Sequence, residues 1–485
     1  MLNFINDFVA FSNNILWSYV LIFLLIAVGI YFTIYLKFSQ FRFFGDTFKI
    51  LGGGNKTSKE KGKSSISSFQ AFCLSVASHV GTGNLAGVAI AVTVGGPGAI
   101  FWMWVIALLG SASSFVENTL AQIYKVKDKE GYRGGPAYYM EKALGKRNLG
   151  IVFSILITIS FGLVFNSVQA NTIISSFEGA FGLEKIWGAG ILIVLTTLVI
   201  FGGVSRIARV TEVIVPVMAV AYVLVAFFVV FKNISELPNV FKMIFEGAFG
   251  FKQVASGGLG ATIMMGIKRG LFSNEAGMGS APNAAATAEV SHPVKQAIMQ
   301  VFGVFLDTIV ICSSTAFIIF VSDIPESAGL TGIQLTQGAL TSQVGAWGNI
   351  FIATCIFLFA YSSILGNYYY GESNIEFMNG SKTLLTVFRL AVLGMILWGS
   401  MSSLDIVWSM ADLFMGLMAI MNLLVIFKLR KVVSKVVADY IAQRRAGIDP
   451  VFNSKSIEGL FNAECWDQEK SVTCTVDKVK EKQVV

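Results

Sequence analysis

From Ile15 to Leu36 the chain reads ILWSYVLIFLLIAVGIYFTIYL, with no charged residue. A run of about 20 apolar residues spans a hydrocarbon core of about 30 Å. No basic residue precedes it and no small-residue cleavage site closes it, so it is predicted to be a retained span and not a signal peptide. One such run alone is compatible with a single-span protein. Here it opens a chain of 485 residues that is 54% hydrophobic and only 13% charged, with a mean hydropathy of +0.69. Soluble domains carry about a quarter charged residues. The composition excludes a string of soluble domains and predicts an all-α polytopic membrane protein.

Eleven spans are predicted, at about 15–37, 67–94, 98–125, 149–177, 186–205, 208–231, 257–288, 294–321, 347–377, 383–399 and 404–428. An odd number places the termini on opposite sides. Of the 36 Lys and Arg residues, 30 then fall on one side, four fall on the other, and Lys268 and Arg269 lie inside a span. The positive-inside rule makes the basic side cytoplasmic. The expectation is a plasma (inner) membrane protein with its N-terminus outside and its C-terminus in the cytoplasm. The net charge of +7 then reflects topology, and no nucleic-acid partner is expected. The polar tail after Arg430 is predicted to be solvated or to lie on the membrane surface. Cys73, Cys312 and Cys355 lie in apolar segments, and Cys465 and Cys474 in the tail, without metal-like spacing. Two histidines, His79 and His292, are too few for a histidine-built metal site.

Two spans are interrupted. The second contains SVASHVGTGNLAGVA, Ser75 to Ala89, and the seventh contains LFSNEAGMGSAPNAAATAEV, Leu271 to Val290. Both place glycines and polar groups near mid-membrane. In lipid, unsatisfied backbone groups cost several kcal/mol each, so a broken helix survives only against protein or a water-lined cavity. There, free N–H groups at the positive end of a half-helix bind a carboxylate, and free carbonyls bind a cation. Gly81, Gly83 and Gly87 loosen the first break; Gly277, Gly279 and Pro282 loosen the second. The breaks lie five spans apart, so the two segments run in opposite directions. That is the pattern of two five-span halves related by a pseudo-two-fold axis in the membrane plane, the inverted repeat of many carriers. The predicted organisation is an extra N-terminal helix and loop (1–66), a first five-helix repeat (67–256), a second (257–430) and a cytoplasmic tail (431–485).

Other polar residues lie at membrane depth. Gln169, with Asn166 and Asn171, sits in a charge-free stretch of the fourth span, where either ligand contact or a helix–helix hydrogen bond would account for it. Ser362 and Ser363 would ordinarily bond back to their own helix. Glu117, Glu275 and Asp307 each need a partner, because a charge at a helix centre costs about 2.5–3.5 kcal/mol on insertion scales. A structural ion pair is the expected role of these acids, with Lys268 and Arg269 close in sequence to Glu275; proton coupling is the alternative.

VGTGNLAGVAIAVTVGGPGAIFWMW, RGGPAYYM, GLVFNSVQAN, RGLFSNEAGMGSAPNAAATA and FAYSSILGNYYYGE are spread over most of the chain. On these stretches the sequence resembles the alanine/glycine:cation symporters, a family of sodium:amino-acid symporters. The resemblance implies a leucine-transporter-type fold. It implies that amide groups near Thr82 and Gly83, with Asn84, hold the substrate carboxylate. Gln169 and the segment Phe272, Ser273, Asn274, Gly277 and Met278 would close around the amino group and side chain. The sodium position would use the carbonyls of Ala77, Val80 and Phe359 and the hydroxyls of Ser362 and Ser363. Many members carry Trp where this chain has Asn367. The smaller amide leaves room for a polar substrate such as glutamine beside alanine and glycine.

The expected function is therefore sodium-coupled uptake of a small neutral amino acid by alternating access, with sodium as the co-transported ion and no cofactor. The lipid bilayer is the remaining partner. The oligomeric state stays open, a monomer sufficing for transport. An enzyme is disfavoured: no HExxH, nucleophile elbow or Cys–His pair with a plausible base occurs. Channels read ions with rings built by oligomeric symmetry, whereas an internal repeat points to a carrier. A proton-coupled carrier is the nearest alternative.

Overall fold

The computed structural model describes residues 2–57, 66–128, 131–202, 204–250, 258–322, 324 and 328–467. The apolar runs become helices because a helix satisfies its own backbone, the requirement that lipid imposes. In chain order these are α1 (Asn6–Tyr35), α2 (Ser68–His79), α3 (Gly83–Gly95), α4 (Gly98–Ile123), α5 (Arg147–Phe181), α6 (Lys185–Ile200), α7 (Arg206–Lys232), α8 (Leu259–Asn274), α9 (Ala281–Ala285), α10 (Pro293–Phe320), α11 (Trp347–Met378), α12 (Lys382–Met401), α13 (Leu404–Lys428) and α14 (Arg430–Arg445). A short antiparallel ribbon, β1 (Val126–Asp128) and β2 (Gly131–Arg133), follows α4.

Among the described residues, eight helices are long and apolar enough to cross a membrane alone, and α2 with α3 makes a ninth crossing bent by 47°. The 16-residue α6 and the broken pair α8–α9 occupy the two remaining stretches where crossings were expected. The chain is a multi-pass membrane protein.

Burial separates inner from outer helices. Two-thirds of the apolar window of α4 and of α11 is buried within the protein, against 28% for α7 and for α12. On α7, Val213, Val217, Val220, Leu224, Phe228 and Phe231 are exposed at helical spacing, a stripe suited to lipid. Inside, α8 packs along α4, α2 against α7 and α11, and α5 against α11 and α12. The breaks in α2–α3 and α8–α9 lie in this interior, fully enclosed by protein.

Local sequence explains both breaks. α2 begins with a capping box, in which Ser67 Oγ accepts from Gln70 N and Gln70 Oε1 accepts from Ser67 N. It ends at His79, where Val80 turns extended, and the chain resumes in a widened turn at Gly83–Gly87. α8 ends at Asn274. Glu275 then adopts φ +55, and Gly277 and Gly279 adopt +86 and +84. Only glycine takes such angles readily, so the two glycines allow the chain to leave the helix and re-enter it at Pro282, near the start of α9.

The tail departs from expectation. α14 buries Val433, Val436, Val437 and Tyr440, and Arg444 reaches Asp46 at 2.8 Å. Beyond it the chain crosses one end of the protein. Asp449 pairs with Lys295 at 2.6 Å, Phe452 N donates to Ser291 O at 2.8 Å, and Trp466 Nε1 donates to Gln122 O at 2.8 Å. Among the described residues, up to Asp467, the tail packs against the protein. Its polar composition conceals a few aromatic and branched residues that supply the contact.

Candidate functional site

The first break carries two adjacent clusters. Gln169 projects from α5, and its Oε1 accepts from Thr82 N at 3.0 Å and from Thr82 Oγ1 at 2.7 Å. Gly81 N donates to Asn84 Oδ1 at 2.9 Å. Asn84 Nδ2 reaches Asp307 Oδ1 at 2.6 Å and Ser273 Oγ at 3.1 Å. Ser273 Oγ also donates to Asp307 Oδ2. Thr82, Gly83, Asn84, Gln169, Phe272 and Ser273 are thus neighbours. Phe272 stacks on Phe165 with ring centroids 4.7 Å apart and lies 4.5 Å from Trp408. A Cβ at Gly83 would meet Phe272 Cδ1 at 3.0 Å. Phe165, Phe272 and Trp408 form an aromatic wall beside the break.

The second cluster sits where α2 meets α11. Ser363 Oγ lies 2.8 Å from Ala77 O, 3.0 Å from Phe359 O and 3.5 Å from Val80 O. Ser362 Oγ donates to Phe359 O at 2.8 Å. One hydroxyl proton faces three carbonyl oxygens, so lone pairs outnumber donors at this point. That surplus is the electrostatic signature of a place for a hard cation with oxygen ligands. A Cβ on Gly81 would overlap Ser363 Oγ and lie 2.9 Å from Gln169 Oε1, so the two clusters meet at this one glycine.

The remaining predicted residues lie farther along. Asn274 Nδ2 donates to Thr308 Oγ1 at 3.1 Å, and Asn274 Oδ1 accepts from Ala276 N. Gly277 N donates to Glu117 Oε1 at 3.0 Å and Gly279 N to Glu117 Oε2 at 3.1 Å. The nest of the second break therefore binds a carboxylate, and that carboxylate is the protein's own. Asn422 Nδ2 adds a third donor at 2.6 Å. Met278 is buried, its amide bonded to Glu275 O. Asn367 Oδ1 lies 2.8 Å from Ser78 Oγ, and no hydrogen bond joins it to the Thr82–Gln169 pair.

The expected ion pairing of Glu275 with Lys268 and Arg269 is corrected. Both bases turn to α13. Arg269 Nη2 reaches Asp412 Oδ2 at 2.6 Å, and Lys268 Nζ lies 3.5 Å from the same oxygen. From position 269, Glu275 is more than a helical turn away and beyond the end of α8, where the chain has changed direction. Glu117, Glu275 and Asp307 have no Lys or Arg partner among the described residues; amides, hydroxyls and, beside Glu275, His79 surround them. Of the other polar residues, Asn171 crosses to Gly399 O and Ser402 O, as a helix–helix bond would, while Asn166 bonds back to Gly162 O. Asp412 escaped notice in the sequence, although an acid in an apolar span was signal enough. Phe165 and Trp408 had none, being aromatic residues in aromatic-rich spans.

Residues 2–454 match the model of the sodium:alanine symporter family. The chain belongs to that family. This symporter is 55% identical over 478 residues to the probable sodium/glutamine symporter GlnT of Bacillus subtilis, covering 99% of each chain. It is likewise 55% identical over 470 residues to the amino-acid carrier protein AlsT of the same organism, covering 97% of this chain and 99% of the carrier. Among solved structures, a mutant of the manganese transporter of Eremococcus coleocola superposes with a TM-score of 0.52 at 13% identity, over 74% of the symporter and 78% of the transporter. The symporter thus has the expected leucine-transporter-type fold.

Proposed function

We propose that this symporter takes up a small neutral amino acid together with sodium by alternating access, with alanine, glycine and glutamine as the substrate range. Family membership supports sodium coupling and an amino-acid substrate. The observation that carries the reading is the pair of clusters meeting at Gly81. One has surplus carbonyl oxygens around Ser363. The other has a backbone amide and a hydroxyl on Thr82, both pointing at a single oxygen of Gln169.

In this reading sodium binds Ala77, Val80, Phe359, Ser362 and Ser363. Its charge draws the Ala77 and Val80 carbonyls together and fixes the unwound segment. The Gln169 oxygen stands where a substrate carboxylate oxygen binds. Exchange frees Gln169 to meet the amino group, while Asn84 and Ser273 remain braced by Asp307. Phe272, Asn274, Gly277 and Met278 shape the second break around the side chain, and Asn367 leaves room for an amide. The organisation that fits is eleven crossings, with residues 67–256 and 257–430 as inverted halves beside the extra helix of 1–66 and the tail of 431–485. The basic loops face the cytoplasm, the N-terminus lies outside, and one copy suffices.

The driving force is adequate. One charge falling through ~100 mV contributes about 2.3 kcal/mol. A tenfold sodium gradient adds about 1.4 kcal/mol. The sum supports roughly 500-fold accumulation for one ion per substrate. The test is uptake of labelled alanine and glutamine by proteoliposomes, which should require an inward sodium gradient. Equal uptake in potassium or choline would reject sodium coupling.

A further inference from the structure

A buried polar cluster adjoins the Ser363 cluster, on the side toward residues 66 and 289–292. It is made of Ser75, Ser78 and His79 of α2, Glu275 and Ser280 of the second break, and Asn367 and Tyr370 of α11, all buried. Glu275 is its centre. Ser78 Oγ lies 2.8 Å from Glu275 Oε1, Ser280 Oγ donates to Oε2 at 2.6 Å, and His79 Nε2 lies 3.6 Å from Oε2. No lysine or arginine reaches Glu275 among the described residues, because Lys268 and Arg269 are held by Asp412.

Ser78 Oγ also lies 2.8 Å from the Asn367 side-chain amide, whose nitrogen donates to Ser78 once the amide is turned, leaving the Ser78 proton for the carboxylate. His79 Nδ1 is buried without a partner. Glu275 itself is held at φ +55, a strained angle for a residue with a side chain. A buried anion without a fixed positive partner is costly, and a cation relieves it.

We propose that Glu275, Ser78 and Ser280 form a second cation position, which sodium occupies on its way from the Ser363 cluster to the cytoplasm. This rests on the sodium-coupled reading and its orientation. The oxygens available are two from the carboxylate and two from hydroxyls, hard ligands that suit a hard cation. The position is adjacent to the first: Ser78 lies between Ala77 and Val80 in the chain, and Asn367 is one helical turn beyond Ser363. The first position is built from neutral oxygens only, so the anion at Glu275 also favours sodium there. Glu275 bridges α2 and the second break through Ser78 and Ser280, and Ser78 joins α2 to Asn367 of α11. A cation entering this bridge replaces the Ser78 and Ser280 donors and loosens α2 from the second break, which couples ion release to inward opening.

The test uses the full chain in proteoliposomes and ²²Na⁺ binding to the purified protein. In Glu275→Gln, the sodium concentration for half-maximal uptake should rise by about tenfold or more, since a carboxylate beside a cation outweighs a neutral amide at any protein dielectric. Labelled alanine should still bind at saturating sodium. Ser280→Ala supplies a second variant should Glu275→Gln not fold, with an expected rise of about threefold for one lost ligand. Wild-type sodium dependence in both variants would overturn the second position. So would a sodium dependence left in place while the pH profile of uptake shifts, which would make the Glu275 cluster a proton site. A wild-type protein indifferent to sodium would instead reject the underlying reading of the transport cycle.

Discussion

Gly81→Ala tests the junction of the two clusters. Gly81 does not have a left-handed backbone, so alanine adds no torsional strain. The cost is steric. The new methyl would overlap Ser363 Oγ and lie 2.9 Å from Gln169 Oε1 and 3.3 Å from Gln169 Nε2. Overpacking a buried site costs about 1–3 kcal/mol. Relief requires Ser363 to turn from Ala77 O and Phe359 O, or Gln169 to leave Thr82, and each lost hydrogen bond adds about 1 kcal/mol. A total of about 2–4 kcal/mol corresponds to roughly a 30- to 1000-fold weakening of sodium and substrate binding. The assay is sodium-dependent uptake of labelled alanine, with the half-saturating sodium concentration measured in four proteins: parent, Gly81→Ala, Ser363→Ala and the double variant. Removing Oγ removes the first atom that the methyl meets, so Gly81→Ala should cost less by about 1 kcal/mol or more, about fivefold, in the Ser363→Ala background. Strict additivity of the two changes would refute the idea that sodium and substrate sites share this contact.

Further outcomes are expected elsewhere. Asp412→Leu leaves Arg269 and Lys268 buried without their anion and should destabilise the protein by about 3–5 kcal/mol, while Arg269→Met with Asp412→Leu recovers much of the loss; thermal unfolding in detergent measures both, and a double variant as unstable as the single would contradict the pairing. Asn367→Trp should lower glutamine uptake relative to alanine, and an unchanged ratio in a competition panel would remove this position from substrate selection. His292 lies outside the spans, packed between Tyr440 and Phe452 and near Asp439. Burial holds it below its ordinary value of 6.5, against the pull of Asp439. A lowered histidine contributes stability that is full above the ordinary value and is lost as pH falls below it, because the released tail binds the proton more readily. Limited trypsin digestion after Arg445 should therefore speed up below about pH 6.5, and His292→Asn should flatten that dependence.

How far the site could be read in advance depended on the kind of partner each residue has. Spans and breaks were legible because they are properties of one stretch of chain: apolar length, glycine, proline, and polar residues where lipid forbids them. That Ala77, Val80, Phe359, Ser362 and Ser363 come together was legible through resemblance, and their geometry follows from Ser363 being one helical turn from Phe359. Partners of buried charge were not legible. Glu117 and Asp412 look alike in sequence, each an acid in the middle of an apolar helix. Asp412 is neutralised by Arg269 and Lys268 of α8, whereas Glu117 is held by the amides of Gly277 and Gly279 and by Asn422. Every residue except proline has an amide, so no residue type marks it as a partner; only the positive φ of two glycines, set by folding, turns these amides toward one point. Glu275 shows the third outcome. It has hydroxyls and a histidine but no fixed positive charge, although two bases lie six and seven residues before it in the chain. The turn at Glu275 that breaks α8 separates it from them, and the same turn sets its carboxylate between Ser78 and Ser280. In this fold a broken helix does more than expose its backbone: it decides which buried carboxylate is left without a fixed positive partner.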